Sequence, residues 1–400
     1  MEWIMKTIKD IDISGKKVFI RVDFNVPMDD KQNITEDTRI RTVLPTLNYA
    51  LSQNSKIILA SHLGRPKGKV VPSMSLKPVA AYLSKLIGKD VKIAPDCIGP
   101  EVKDMISTMK EGDIILLENL RYHEAEQKNN PEFAKELALL CDVYINNAFA
   151  VSHRAHASVA AITEYATTSA AGLLLAKEID FYKKAMETPK RPLVAIVGGA
   201  KVSSKLEALE NMLKHVDRVI IGGAMANTFL KSQGHDVGAS MVEDDLLETA
   251  KKIVSQAKEK GISFHLPVDV VASDKFEADS PNKVTSVTDI PKGSMALDIG
   301  PDTVADYSKA LDNAGTIVWN GPMGVFEMPA FSQGTLAIAK KVAQSPALTI
   351  VGGGDTDAAV HAAGVADKMS YISTGGGAFL MLMEGKTLPG VDCLEKAEKK

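Results

Sequence analysis

The sequence predicts an α/β protein of two domains, each built on a mostly parallel β-sheet. Three observations carry this prediction. Short β-rich runs alternate with longer segments of helical period along the whole chain, the pattern of repeated βαβ units. At 400 residues the chain exceeds what one hydrophobic core usually organises. The two halves also end their strands in different chemistry, arginine-bearing segments in the first and paired glycines in the second.

Taken in order, the first half offers strands in KVFIRVDF, KIILAS, DIILLEN and CDVYINN. The stretch from Ser169 to Pro192 follows, with Leu174, Ile179, Tyr182 and Met186 at helical spacing and a stop at Pro189 and Pro192. It reads as a helix joining the domains, with the boundary between residues 175 and 190. The second half offers PLVAIVGG, RVIIGG, FHLPVDVV, TIVWNG and LTIVGGG, and Asp357 to Ala363 after the last of these reads as a helix. The charged end, EKAEKK, is expected to fray.

Composition narrows the function classes. The chain is 45% hydrophobic, 24% charged and 5% aromatic, with a formal net charge of −3. Nothing global points to nucleic acid or an anionic membrane, and so few aromatics supply no base-stacking platform. Cys97, Cys141 and Cys393 are far apart, odd in number and without C-x-x-C spacing, which argues against a disulfide framework or a zinc site. The N-terminus has no signal-type apolar region, and no apolar run reaches the ~18 residues of a membrane span. A cytoplasmic protein is expected.

Ligands of open α/β sheets bind beyond the carboxyl ends of the strands. In the first half these ends read RVDFNVP, SHLGRPKG, ENLRYHEAE and SHRAHAS, and six of the eight arginines precede residue 175, Arg21 among them. Parallel strands would bring Arg39, Arg65, Arg121 and Arg154 to one rim with His62, Asp23 and Asn25. Guanidinium groups match phosphate and carboxylate oxygens bidentately, so the set fits a small polyanion, with Asp23 and Asn25 accepting from its hydroxyl. The competing reading is a series of unrelated surface ion pairs. His62, His153 and His156 serve equally well as structural histidines.

In VGGAKVSSKLEAL, Lys201 and Lys205 are four apart, which on a helix puts them on one face near its N-terminus. There they oppose the helix dipole unless an anion lies between, the alternative being a solvated face. The segment TIVGGGDTDAAV reads as strand, bare loop and helix N-terminus, a phosphate-binding arrangement into which Asp355 places a negative charge. Asp355 fits either as an N-cap or as a ligand for Mg²⁺ carried by phosphate oxygens, with Thr356 donating to the phosphate.

Together, RVDFNVP, EDTRI, SHLGRPKG, LLENLRYH, SHRAHAS, VGGAKVSSK, LPVDVV, VWNGPMGVFE, GGGDT and ISTGGGA occur in order and resemble the phosphoglycerate kinase family over nearly the whole chain. The resemblance implies two Rossmann-like, doubly wound domains joined by an interdomain helix and hinge. Residues 1–175 would bind phosphoglycerate, with segment 386–400 packing back on them, and 176–385 would bind nucleotide. It implies a usually monomeric enzyme that uses Mg²⁺ to interconvert 1,3-bisphosphoglycerate plus ADP with 3-phosphoglycerate plus ATP. By that pattern Asp23, Phe24, Asn25, Arg39, His62, Leu63, Gly64, Arg65, Arg121 and Arg154 take the phosphoglycerate. Lys201 and Lys205 reach the nucleotide phosphates and the group in flight, with Arg39 as their catalytic partner. Gly222, Gly223, Asn320 and Glu327 line the nucleoside site, and Gly353, Gly354, Asp355 and Thr356 hold the phosphates, with Asp355 serving Mg²⁺.

Four positions depart from the pattern: Asn147 where aspartate is common, Ala150 for glycine, Met381 for glutamate and Ala239 for lysine. Asn147 alters the charge near Arg154, and Ala150 would cost about 1 kcal/mol if its site needs φ > 0. Two rivals weigh against a kinase. A nicotinamide-dependent dehydrogenase predicts a G-x-G-x-x-G turn in a strand–helix context that the chain lacks. A two-domain solute-binding protein leaves Lys201, Lys205 and Asp355 idle.

Overall fold

The computed structural model describes residues 5–398, so residues 399 and 400 of the charged C-terminus lie outside the described residues. The chain divides into two compact units, Met1–Ile179 with Thr387–Lys400, and Asp180–Lys386. The division falls inside the helix Leu173–Met186.

The first unit holds a six-stranded sheet of β1 (Lys17–Arg21), β2 (Lys56–Ala60), β3 (Val91–Ile93), β4 (Ile114–Leu116), β5 (Val143–Asn146) and β6 (Ser169–Ala171). Its order is β3-β4-β2-β1-β5-β6, every pair parallel. These strands are apolar runs because helices cover both faces of a parallel sheet. Val18, Ile20, Ile57, Leu59, Val143 and Ile145 turn to one core, while Phe19, Ile58 and Tyr144 are buried on the other face. The strand order reverses direction between β1 and β5, so the crevice beyond their carboxyl ends is the expected ligand position. The helix Pro389–Glu398 belongs to this unit, where Gly390 N donates to Ser152 O at 2.9 Å.

The second unit holds β7 (Leu193–Val197), β8 (Arg218–Ile221), β9 (Ser263–His265), β10 (Asp269–Ser273), β11 (Asn282–Ser286), β12 (Met295–Ile299), β13 (Thr316–Asn320), β14 (Leu348–Gly352) and β15 (Tyr371–Ile372). Six of them form a parallel sheet ordered β9-β8-β7-β13-β14-β15, the doubly wound order with its reversal between β7 and β13. Val194, Ile196, Ile317, Trp319 and Val351 form its core face.

Three local expectations are corrected. FHLPVDVV is two strands, β9 in the parallel sheet and β10 at the centre of a small antiparallel sheet ordered β11-β10-β12. Pro267 lies between them and donates no ladder bond. The segment from Ser169 opens with strand β6 before the helix begins at Leu173. The helix after LTIVGGG runs Gly354–Ala362, starting earlier than expected, with Gly353 as its N-cap. Asp355 is therefore a first-turn residue and not the cap. No helix among the described residues is long and apolar enough to cross a membrane.

Candidate active site

Because β1, β2, β4 and β5 are mutually parallel neighbours, the segments leaving them emerge at one edge of the first sheet. There Arg39 Nη1 donates to Asp23 Oδ2 at 2.8 Å and to Asn25 O at 3.2 Å. Asn25 Oδ1 accepts from Gly64 N at 2.8 Å, and Gly64 O accepts from Arg121 Nη1 at 2.8 Å. Phe24 and Leu63 are buried and act through backbone: Phe24 N donates to Ser61 Oγ and Leu63 N to Asn119 Oδ1. The same Asn119 oxygen accepts from Arg121 N, so one amide ties the loops after β2 and β4 together. Gly64 sits at φ +62, a conformation that L side chains rarely adopt.

A second layer lies beneath, and the sequence did not single it out as a network. Arg21, fully buried, donates through Nε to Ser158 Oγ at 2.8 Å and approaches His62 Nδ1 at 3.3 Å. Ser158 Oγ in turn donates to the buried Glu126 at 2.6 Å. Its alternation signal was hidden because Arg21 ends an apolar strand and Glu126 sits in a polar helix.

The positive groups outnumber their partners here. Burial, together with Arg21 and Arg154, holds the Arg121 guanidinium down at about 10. Burial and the surrounding arginines hold His62 well below its usual range and bring His156 to about 3, so both are neutral at pH 7. Arg121 Nε and His156 Nδ1 are buried without a hydrogen-bond partner, and Glu126 Oε1 stands 3.8 Å from His156, beyond bonding reach. The charged Arg121 Nε donor calls for an acceptor with negative charge. Arg154 Nε donates to His153 Nε2 at 3.0 Å, while Arg65 is exposed.

At the reversal point of the second sheet, Lys205 Nζ donates to Asn320 O at 2.9 Å and to Asn320 Oδ1. Asn320 Nδ2 donates to Gly352 O at 3.0 Å, joining the ends of β13 and β14. Lys205 is the N-cap of the helix Leu206–Met212 and closes the turn before it, while Lys201 lies exposed ahead of that turn. The expectation that the two share a helical face is thus corrected: the backbone turns before the helix starts. Only Lys205 reaches the strand ends, and burial lowers its ammonium to about 8 against the opposing influence of Asp355.

A slot of about 280 Å³ opens beside these groups, lined by Gly199, Ala200, Gly223, Ala224, Met241, Phe276, Leu297, Pro322, Val325, Glu327 and Asp355 among others. It is apolar with acidic groups at hand, which suits a flat heterocycle bearing a hydroxylated tail. Gly223, at φ +68, lets two loops meet: a Cβ there would stand 2.6 Å from Gly199 N. Gly222 lies outside the slot lining and packs on Met323. Gly353, Gly354 and Asp355 open the helix Gly354–Ala362, whose first N–H groups have no intrahelical acceptor. The Thr356 hydroxyl is engaged internally, accepting from Gly321 N at 2.6 Å and donating to Gly352 O at 2.9 Å. Asp355 is exposed and makes no hydrogen bond or ion pair with another described residue, so its charge is available to a cation.

Among the departures, Ala150 lies in the 3₁₀ turn Phe149–Val151 without a positive φ, so no backbone strain arises there. Asn147 Oδ1 accepts from Thr46 Oγ1 and Leu174 N, and its buried Nδ2 has no hydrogen-bond partner. Nothing in the structure explains Ala239 or Met381.

A model of one family, phosphoglycerate kinase, matches residues 8–386. The chain is 62% identical over 387 residues to the phosphoglycerate kinase of Geobacter metallireducens, covering 97% of each. It is 58% identical over 391 residues to that of Desulforapulum autotrophicum, covering 98% of this chain and all of the other. The solved structure of phosphoglycerate kinase from Coxiella burnetii is similar with a TM-score of 0.90 at 44% identity, covering 98% of this chain and 99% of that one. The enzyme from Pyrococcus horikoshii is similar at 0.85 and 30% identity, covering 99% and 100%.

Proposed function

The chain belongs to the phosphoglycerate kinase family, and from that premise we propose how its two sets of residues divide one reaction. It is a phosphotransferase with a carboxyl acceptor, interconverting 1,3-bisphosphoglycerate plus ADP with 3-phosphoglycerate plus ATP in glycolysis and gluconeogenesis. The observation that carries the division is the contrast between the two sheet edges: clustered arginines with a buried, unpartnered Arg121 Nε on one, Lys205 and Asp355 beside an apolar slot on the other.

Arg39, Arg65, Arg121 and Arg154 bind the phosphate and carboxylate of phosphoglycerate, and Asp23 and Asn25 orient its hydroxyl. His62, kept neutral by burial, contributes a hydrogen bond and no charge. Glu327 takes the ribose of the nucleotide, whose base lies between Gly223, Leu297 and Pro322. In the ATP-consuming direction the phosphoglycerate carboxylate attacks the γ-phosphorus. A P–O bond forms as the bond to the β-phosphate oxygen breaks, and ADP leaves. The nucleophile is already ionised, so no general base is required, and catalysis rests on positioning and on neutralising the equatorial oxygens. Lys205, Arg39 and the N–H groups opening the helix Gly354–Ala362 do this; Lys201, further out, steers the nucleotide phosphates. Asp355 would hold Mg²⁺, which when bound neutralises nucleotide phosphate charge; one free carboxylate beside a phosphate site is the donor set that Mg²⁺ usually takes.

ATP-dependent formation of 1,3-bisphosphoglycerate from 3-phosphoglycerate, read in a coupled assay, is the expected activity; a chain that binds either ligand without turnover would overturn the reading. Transfer also requires the two units to bring their ligands together, which we assign to bending near the helix Leu173–Met186. Small-angle scattering should show compaction only with both substrates present, at the 42.9 kDa mass of a cytoplasmic monomer. An unchanged radius of gyration counts against closure.

A further inference from the structure

We propose that Asp96, Cys97 and His123 form a site for a thiophilic divalent cation such as Zn²⁺, and that filling it weakens binding at the arginine rim. The ligand atoms of these three residues all lie within 4.8 Å of one another. They combine a thiol, an imidazole and a carboxylate, the donor set of a borderline-soft ion, with a fourth position left for water. Mg²⁺ would be a poor occupant, since it asks for oxygen ligands in octahedral array.

The ligands are held and reachable. Cys97 is wholly buried and its thiol donates to Glu118 O at 2.9 Å. Asp96 and His123 are partly open to solvent and bonded to each other at 2.6 Å, giving an ion its way in. The imidazole packs against Phe133 with ring centroids 5.1 Å apart, which restricts its orientation. Tetrahedral ligands on an ion at about 2.1–2.3 Å stand roughly 3.5 Å apart. The Asp96–His123 pair must therefore open by about 1 Å, with the Cys97 thiol, within 4.8 Å of both, completing the set. The Cys97 thiol gives up its proton to water as the metal–sulfur bond forms, and it gives up its bond to Glu118 O.

That last exchange links the site to the rim. Glu118 precedes Asn119, whose side chain holds Leu63 N and Arg121 N. His123 follows the 3₁₀ turn Leu120–Tyr122 that carries Arg121. A metal between Cys97 and His123 pulls on both ends of the segment that aims the Arg121 guanidinium. The binding half of the proposal stands without the proposed reaction; the weakening half rests on it.

The test uses Co²⁺ and Zn²⁺ on the full chain without nucleotide. Wild type should bind one Co²⁺ with a thiolate-to-metal charge-transfer band. Cys97→Ser should lose the band, and His123→Gln should bind at least about tenfold more weakly, the scale of losing even an outer-shell partner. Calorimetry should find 3-phosphoglycerate binding several-fold weaker with Zn²⁺ in wild type and unaffected by it in His123→Gln, a partly exposed position whose fold is checked by circular dichroism. A band that survives Cys97→Ser, equal affinity in His123→Gln, or no binding at all overturns the site. Binding with unchanged phosphoglycerate affinity overturns the coupling, while the coupled assay without Zn²⁺ judges the reaction separately.

Discussion

Lys205→Ala should lower turnover about 10²- to 10³-fold, the usual loss when one preorganised group facing the developing charge is removed. Phosphoglycerate affinity should change little, because the arginine rim belongs to the other unit. Lys205 reaches the end of β13, bonding Asn320, whereas Lys201 stays in solvent. Its lowered pKa of about 8 supplies a second signature. The charged form predominates below pH 8, so kcat/KM for nucleotide should fall as pH rises through about 8. Stability moves the other way. The folded pKa lies below the unfolded lysine value of 10.5, so the folded state is penalised for holding this charge below pH 8 and regains stability between 8 and 10.5. Lys205→Arg should displace the alkaline limb beyond the measurable range. Near-normal turnover in Lys205→Ala would remove the residue from the mechanism.

Removing Mg²⁺ should weaken nucleotide binding far more in wild type than in Asp355→Ala, and the sign of the substitution should invert. With Mg²⁺ the alanine variant binds nucleotide more weakly, since a ligand for the ion is gone. With a chelator it binds more tightly, since a carboxylate facing the phosphates is gone. Asp355 lines the slot and sits in the first turn of the helix Gly354–Ala362, where an acid also favours the helix by about 0.3–1 kcal/mol. Titration calorimetry with and without the metal separates these roles. Equal weakening in both proteins would leave Asp355 as a helix-stabilising residue alone.

Much of the fold was legible because parallel strands buried on both faces are continuous apolar runs. The long ones, such as KIILA and LVAIV, stand out at once. Several of those that escaped are two or three residues long, as in β3, β6 and β15, or lack an apolar face, as in β11, whose NKVTS is almost wholly exposed. β12, MALDI, escaped although it is five residues long with buried Leu297 and Ile299, because Asp298 interrupts its apolar run. The expectation for Lys201 and Lys205 failed for a related reason. Four-residue spacing implies a shared face only where the backbone is helical, and here the helix starts one residue after Lys205.

The sequence by itself determined the α/β class with its parallel sheets, the family and the inventory at the strand ends, because strand pattern and chemistry-bearing loops are local. Only the tertiary structure decided which of those groups share an environment. It buried Arg21 and Glu126 beneath the rim, separated Lys205 from Lys201, turned the Thr356 hydroxyl inward, and brought Cys97 and His123, from the segments after the adjacent strands β3 and β4, together. Burial and neighbouring charge arise between segments distant along the chain. They set protonation, hydrogen bonding and metal affinity, and no spacing within one segment records them.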